Sequence, residues 1–147
     1  QQLIAESLGK KGKGLLPIIS TSPKDHHSLL QLYLDGPKDK VFYFLSEKAL
    51  KNNKTKNNFF EDNFRKIKNK DLNQIVEAQK NAVIKVFKKK KIPFREFELR
   101  NFNEETLGEL FSYFMLETRI IGKLLNINPL NQPAVEDVKT ETIKNLI

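Results

Sequence analysis

Three short β-rich runs, LLPIIST at 15–21, KVFYFLS at 40–46 and FREFELR at 94–100, constrain the fold more than any other feature of the sequence. The first two are continuous apolar runs, the pattern of strands covered on both faces. Helical patterns separate and follow them. Ser22, Pro23 and Asp25 open one that stops at Gly36-Pro37. A second, from about Asp71 to Lys91, carries the stripe Leu72, Ile75, Val76, Ala82, Val83, Val86 and Phe87, with Pro93 beyond its end. A third, from about Glu104 to Leu125, places Leu107, Leu110, Phe111, Phe114 and Ile121 on one face, and a last helix starts near Pro133. Strands alternating with helices predict an α/β fold, a three-layer αβα sandwich with a parallel sheet, right-handed crossovers and C-terminal helices. Residues 47–70 form the least regular stretch, a long loop with a short helix expected around Phe60–Lys66.

The 147 residues have the length of one domain, and 39% hydrophobic with 30% charged residues is a globular balance. With no cysteine, a disulfide framework and a thiolate zinc site are excluded. No apolar run is long enough to span a bilayer, and Gln1–Glu6 has no signal-peptide pattern, so a cytoplasmic protein without membrane association is expected. The first residue is Gln, which suggests a piece of a longer chain. Net charge +8 concentrates in NNKTKNNFFEDNFRKIKNK at 52–70 and in the lysine run at 88–91. Neither is accompanied by a nucleic-acid docking motif, and lysines ending a helix complement its dipole, so no nucleic-acid partner is expected.

Ligands of parallel α/β sheets bind where strands run into helices, and three such stretches carry chemistry. SPKDHHSLLQLY, 22–33, holds both histidines. In the first turn of a helix the positive dipole end disfavours imidazolium, which suits acid–base work by one of them. Adjacent residues do not face each other on a helix, so His26 and His27 make a poor metal pair. AESLGKKGKG, 5–14, lacks the spacing of a phosphate loop and reads on spacing alone as a flexible basic turn leading into the strand at Leu15. Its one carboxylate, Glu6, is a candidate base. NPLNQPAVEDVK, 128–139, opens the last helix, with Asn131 as a cap, Pro133 near its first position, and a Glu136–Lys139 pair on one face.

In order and spacing, these stretches resemble the C-terminal part of the glucose-6-phosphate isomerase family, which is built from two sugar-isomerase (SIS) domains. Glu6-Ser7-Leu8-Gly9-Lys10 is similar to its ESxGK loop, His27 through Gln31-Leu32 to Gly36 to its HxxxQLxxxG segment, and Asn131-Gln132 through Val135-Glu136 to Lys139 to its [FY][DN]QxG[VI]ExxK signature. Leu130, Ala134 and Leu8 depart from the usual residues, and none of them is a reacting group.

The resemblance implies that residues 1–147 form the C-terminal SIS portion of a longer two-SIS-domain enzyme interconverting glucose 6-phosphate and fructose 6-phosphate through an enediol. It implies Glu6 as the base, His27 as the acid in ring opening with Lys139 as its partner, and Gln132, Gly9 and Lys10 as substrate-binding residues. His26 is then a wall or surface residue. It implies no cofactor or metal, and a homodimer in which the histidine reaches the neighbouring subunit's site. The family's phosphate-gripping Ser/Thr loop and enediolate-stabilising arginine, like at least one further strand, would precede Gln1, so these residues alone are expected not to turn over sugar phosphates. A sugar-phosphate-sensing module without catalysis, or an isomerase of another phosphosugar, shares the same fold and ligand class.

Overall fold

A computed structural model describes residues 1–48 and 70–147. The order is α1 (Gln2–Leu8), α2 (Lys24–Ser28), α3 (Leu30–Asp35), β1 (Phe42–Glu47), α4 (Leu72–Lys89), β2 (Phe94–Leu99), α5 (Glu104–Leu124) and α6 (Pro133–Lys144). Two compact units divide it: Ser20–Phe102, and Gln1–Ile19 with Asn103–Ile147.

In the Ser20–Phe102 unit β1 and β2 pair in parallel, Phe42 opposite Phe94 and Glu47 opposite Leu99. The expected α/β class with parallel strands is therefore present. Asp71 starts α4 with a capping box: its carboxylate accepts from the Asn73 N–H at 3.1 Å, and Gln74 Oε1 accepts from the Asp71 N–H at 3.2 Å. The inner stripe of α4 buries Val83 and Phe87 with Ile92, and Leu30, Tyr33, Phe42, Phe44 and Phe94 pack around them. Phe87 is the hub, edge-on to Phe42, Phe44 and Phe94 with ring centroids 4.9, 5.2 and 6.2 Å away.

Helices α4 and α5 stop in the same way. The Lys91 N–H donates to Lys88 O and the Ile92 N–H to Phe87 O; likewise Asn126 donates to Lys123 O and Ile127 to Gly122 O. Lys91 (φ 56°) and Asn126 (φ 55°) take the left-handed position, and the isoleucine after each turns inward. Asn tolerates that conformation and Lys pays for it. Lys91→Gly is expected to stabilise the protein by about 1 kcal/mol, read as a higher urea midpoint at unchanged slope.

Four expectations change. Helix α6 has Gln132, not Asn131, at its N-cap, and makes no side-chain cap bond there. LLPIIST is not a strand: Leu15, Leu16, Ile18 and Ile19 are 56–85% exposed and have no strand partner among the described residues. Pro17 lacks the N–H that ladder pairing needs. The helix opened by Asp25 breaks at Leu29, so the histidines lie in the only turn of a five-residue helix, at its end, and a long helix's N-terminal dipole does not act on them. Residues 5–8 are not a loop but the second half of α1, which ends at Gly9. The helix expected around Phe60–Lys66 lies outside the described residues. No described helix is long and apolar enough to cross a membrane.

Candidate active site

The unit formed by Gln1–Ile19 and Asn103–Ile147 carries a cleft of about 320 Å³. Its floor comes from α1, which packs on α5 and buries Ser7 and Leu8. This seating leaves Glu6, on the other side of α1, facing outward into the cleft. The opposite wall follows α5. The turn at Asn126 buries Ile127 and folds Pro129 over Gly122, where a Cβ would meet the proline ring at 3.1 Å. That close approach directs Asn128, Asn131 and Gln132 back toward α1, and Pro133 then starts α6.

The two walls meet at the Glu6 carboxylate. Gln132 Nε2 donates to Glu6 Oε2 at 3.1 Å across 126 positions of sequence, and Gln2 Nε2 donates to Oε1 at 2.9 Å from one turn earlier on α1. Each carboxylate oxygen so takes one neutral donor and keeps a lone pair free. Such a group is held in one orientation and can still accept a proton from a molecule in the cleft.

Four of the six candidate residues are thereby brought together: Glu6, Gly9, Lys10 and Gln132 all line the cleft. Lys139 does not. The lining ends at Val135, and the Lys139 Nζ pairs with Glu136 Oε1 at 2.6 Å on the exposed side of α6. His27 belongs to α2 in the Ser20–Phe102 unit, exposed and without a hydrogen bond among the described residues, whereas His26 Nε2 is engaged by Ser22 Oγ at 2.8 Å. Gln2 was not anticipated as part of the site. Its signal was present in the four-residue spacing to Glu6, which puts the two side chains on one helix face.

In fold the chain is a parallel α/β protein with a solved counterpart. It aligns over 99% of its length with 36% of a crystal structure of a hypothetical protein from Thermus thermophilus, at a TM-score of 0.81 and 25% identity. In sequence it is homologous to a segment of the glucose-6-phosphate isomerases. The protein of that name from Methanocaldococcus jannaschii is 39% identical over 95% of this chain, that from Mycoplasmopsis pulmonis 36% over 99%, and that from Campylobacter jejuni 34% over 99%. The chain spans 34%, 35% and 37% of these curated relatives, about a third of their length. No family model matches it.

Proposed function

We propose that the chain contributes the proton-transferring part of an aldose–ketose isomerase acting on glucose 6-phosphate and fructose 6-phosphate. The observation that supports this most is the Glu6 carboxylate, oriented by Gln132 in a sugar-sized cleft, where two separated family signatures converge. Pockets of a few hundred cubic ångströms suit ligands of this size, and the chemistry asks for a fixed carboxylate beside one.

In the proposed reaction Glu6 takes the proton from C2 of the open-chain aldose. The C2–H pair becomes the C1=C2 bond, and the carbonyl pair moves onto O1, which is protonated to give the enediol. The O2–H proton then leaves as the C2 carbonyl forms, and Glu6 returns its proton to C1. Glu6 is thus regenerated, and no electron leaves the sugar. Ring opening is separate work on oxygen, for which we assign His27 of a second copy in a homodimer, with Lys139 as its partner. Gln132, Gly9 and Lys10 complete the wall around the base. The phosphate grip and an arginine for the enediolate are assigned to the part of the relatives that this chain does not span.

The test is turnover by the complete protein. Glucose 6-phosphate should be converted to fructose 6-phosphate with a kcat/KM at least about a hundredfold above that for glucosamine, mannose or arabinose phosphates. Preference for one of those sugars would transfer the assignment to another isomerase. Binding without turnover of any would make the chain a sugar-phosphate sensor.

A further inference from the structure

We infer that Lys10 is a positioning residue, the clamp that sets the separation of Glu6 from Gln132, rather than a group that meets the substrate. This rests on the functional reading above for its consequence in catalysis, although the clamp itself is geometric.

The segment GKKGKG is a tight hairpin. Lys10 and Lys13 exchange backbone hydrogen bonds at 3.1 and 2.9 Å, and the two residues between them, Lys11 (φ 54°) and Gly12 (φ 70°), both take positive φ. Two positive-φ residues at the centre of such a turn match strand twist and bring the flanking side chains together. Gly14 closes the base of the hairpin, since a Cβ there would stand 2.8 Å from Leu8 O and Gly9 Cα. Lysines 10 and 13 are therefore held side by side at the end of α1.

Both ammonium groups are directed at backbone. Lys10 Nζ donates to Ser7 O at 3.0 Å and to Asn128 O at 2.8 Å; Lys13 Nζ donates to Leu125 O at 2.7 Å, the carbonyl at the end of α5. Ser7 directly follows Glu6, and Asn128 begins the segment that leads to Gln132. One charge thus ties the two walls of the cleft beside the carboxylate through two charge-assisted bonds, one of them part-buried, in addition to the exposed Gln132–Glu6 bond. Two of the three donors of Lys10 are spent on this frame. Lys11, at the tip of the same turn, lines the cleft and makes no such bond among the described residues.

The test compares Lys10→Met with Lys10→Arg in the complete protein. Loss of the clamp lets the base drift, so kcat should fall roughly 100-fold while KM for fructose 6-phosphate stays within about threefold. The arginine variant, which keeps the donors, should recover most of kcat. A KM raised tenfold or more at intact kcat would make Lys10 a substrate contact and overturn the inference, as would unchanged kinetics. Amide hydrogen exchange gives a reading that needs no activity. Segments 5–9 and 128–132 should exchange faster together in Lys10→Met, with β2 unaffected, and equal protection in wild type and variant would overturn the clamp. If Lys10→Met does not fold, Lys10→Gln, whose shorter, uncharged side chain cannot hold both carbonyls, should show the same kcat and exchange signature at smaller size, and its absence would overturn the inference. An inactive wild type with the expected exchange would sink the isomerase reading and leave the clamp standing.

Discussion

Glu6→Gln should lower kcat by three or more orders of magnitude, about 10³-fold, while leaving the protein folded and KM little changed. The substitution keeps the size of the side chain but removes its charge and its ability to act as a base, and puts an NH2 donor where one oxygen now accepts. The local geometry tolerates it for a specific reason. Both present partners are amides, Gln2 and Gln132, and either can rotate its side-chain amide to offer oxygen where it now offers nitrogen. The site is exposed, so an imperfect rearrangement costs about 1 kcal/mol or less. Loss of activity with an unchanged denaturation midpoint would assign the effect to chemistry. A parallel loss of both would assign it to folding.

Phe87→Ala should be the most destabilising single change in the Ser20–Phe102 unit, by about 3–5 kcal/mol. Phe87 is 1% exposed, and the ring fills the space between α4 and both strands. Its removal leaves a cavity bordered by Phe42, Phe44 and Phe94, whose rings would lose their edge-to-face partner, each such pair contributing about 0.5–1.5 kcal/mol beyond area alone. It also removes the side chain on which Ile92 closes the end of α4. Since a domain has only about 5–15 kcal/mol in reserve, the variant should unfold at markedly lower denaturant, measured as the urea midpoint. A loss under about 1 kcal/mol would mean that the aromatic cluster collapses onto the vacancy.

The strands Phe42–Glu47 and Phe94–Leu99 and helices α4 and α5 were legible because local signals agreed with burial, whereas α6, which buries none of its residues, was legible from Pro133 at its start. Asp71 and Asn103 both cap with their side chains, Asn103 accepting from the Thr106 N–H at 2.9 Å. Phe42-Tyr43-Phe44 lies in a short, aromatic-rich apolar run, the composition of a strand. The errors fell where local chemistry and context diverge. Residues 15–19 have the composition of a strand, but Pro17 interrupts their donors and none of the described strands pairs with them. Helix α1 was hidden because Gln1 provides no capping side chain and the glycines at 9, 12 and 14 draw attention to the turn after it. The lysines of that turn read in sequence as solvated cations of a flexible basic turn, whereas in the folded protein Lys10 and Lys13 are bonded to carbonyls.

The candidate site was legible to a different degree. That Glu6 and Gln132 belong together was not visible in periodicity or charge, because the turn at Asn126 and the packing of Pro129 on Gly122 decide it. The family resemblance supplied both residues, and the structure supplies the 3.1 Å bond between them. The resemblance also supplied Lys139, exposed on α6 beyond the cleft lining, and His27, exposed on α2 of the Ser20–Phe102 unit. The ring-opening roles proposed for them are separable from the role proposed for Glu6, and variants of either should slow opening of the cyclic sugar without stopping proton exchange on the open form.

The most direct measurement is NMR of fructose 6-phosphate incubated with the complete protein in heavy water. If the Glu6 carboxylate carries the proton between neighbouring carbons, the wild type places deuterium at C2 of the glucose 6-phosphate it forms and at C1 of the recovered ketose, and Glu6→Gln places none on the same timescale. Exchange by the variant at the wild-type rate would contradict it.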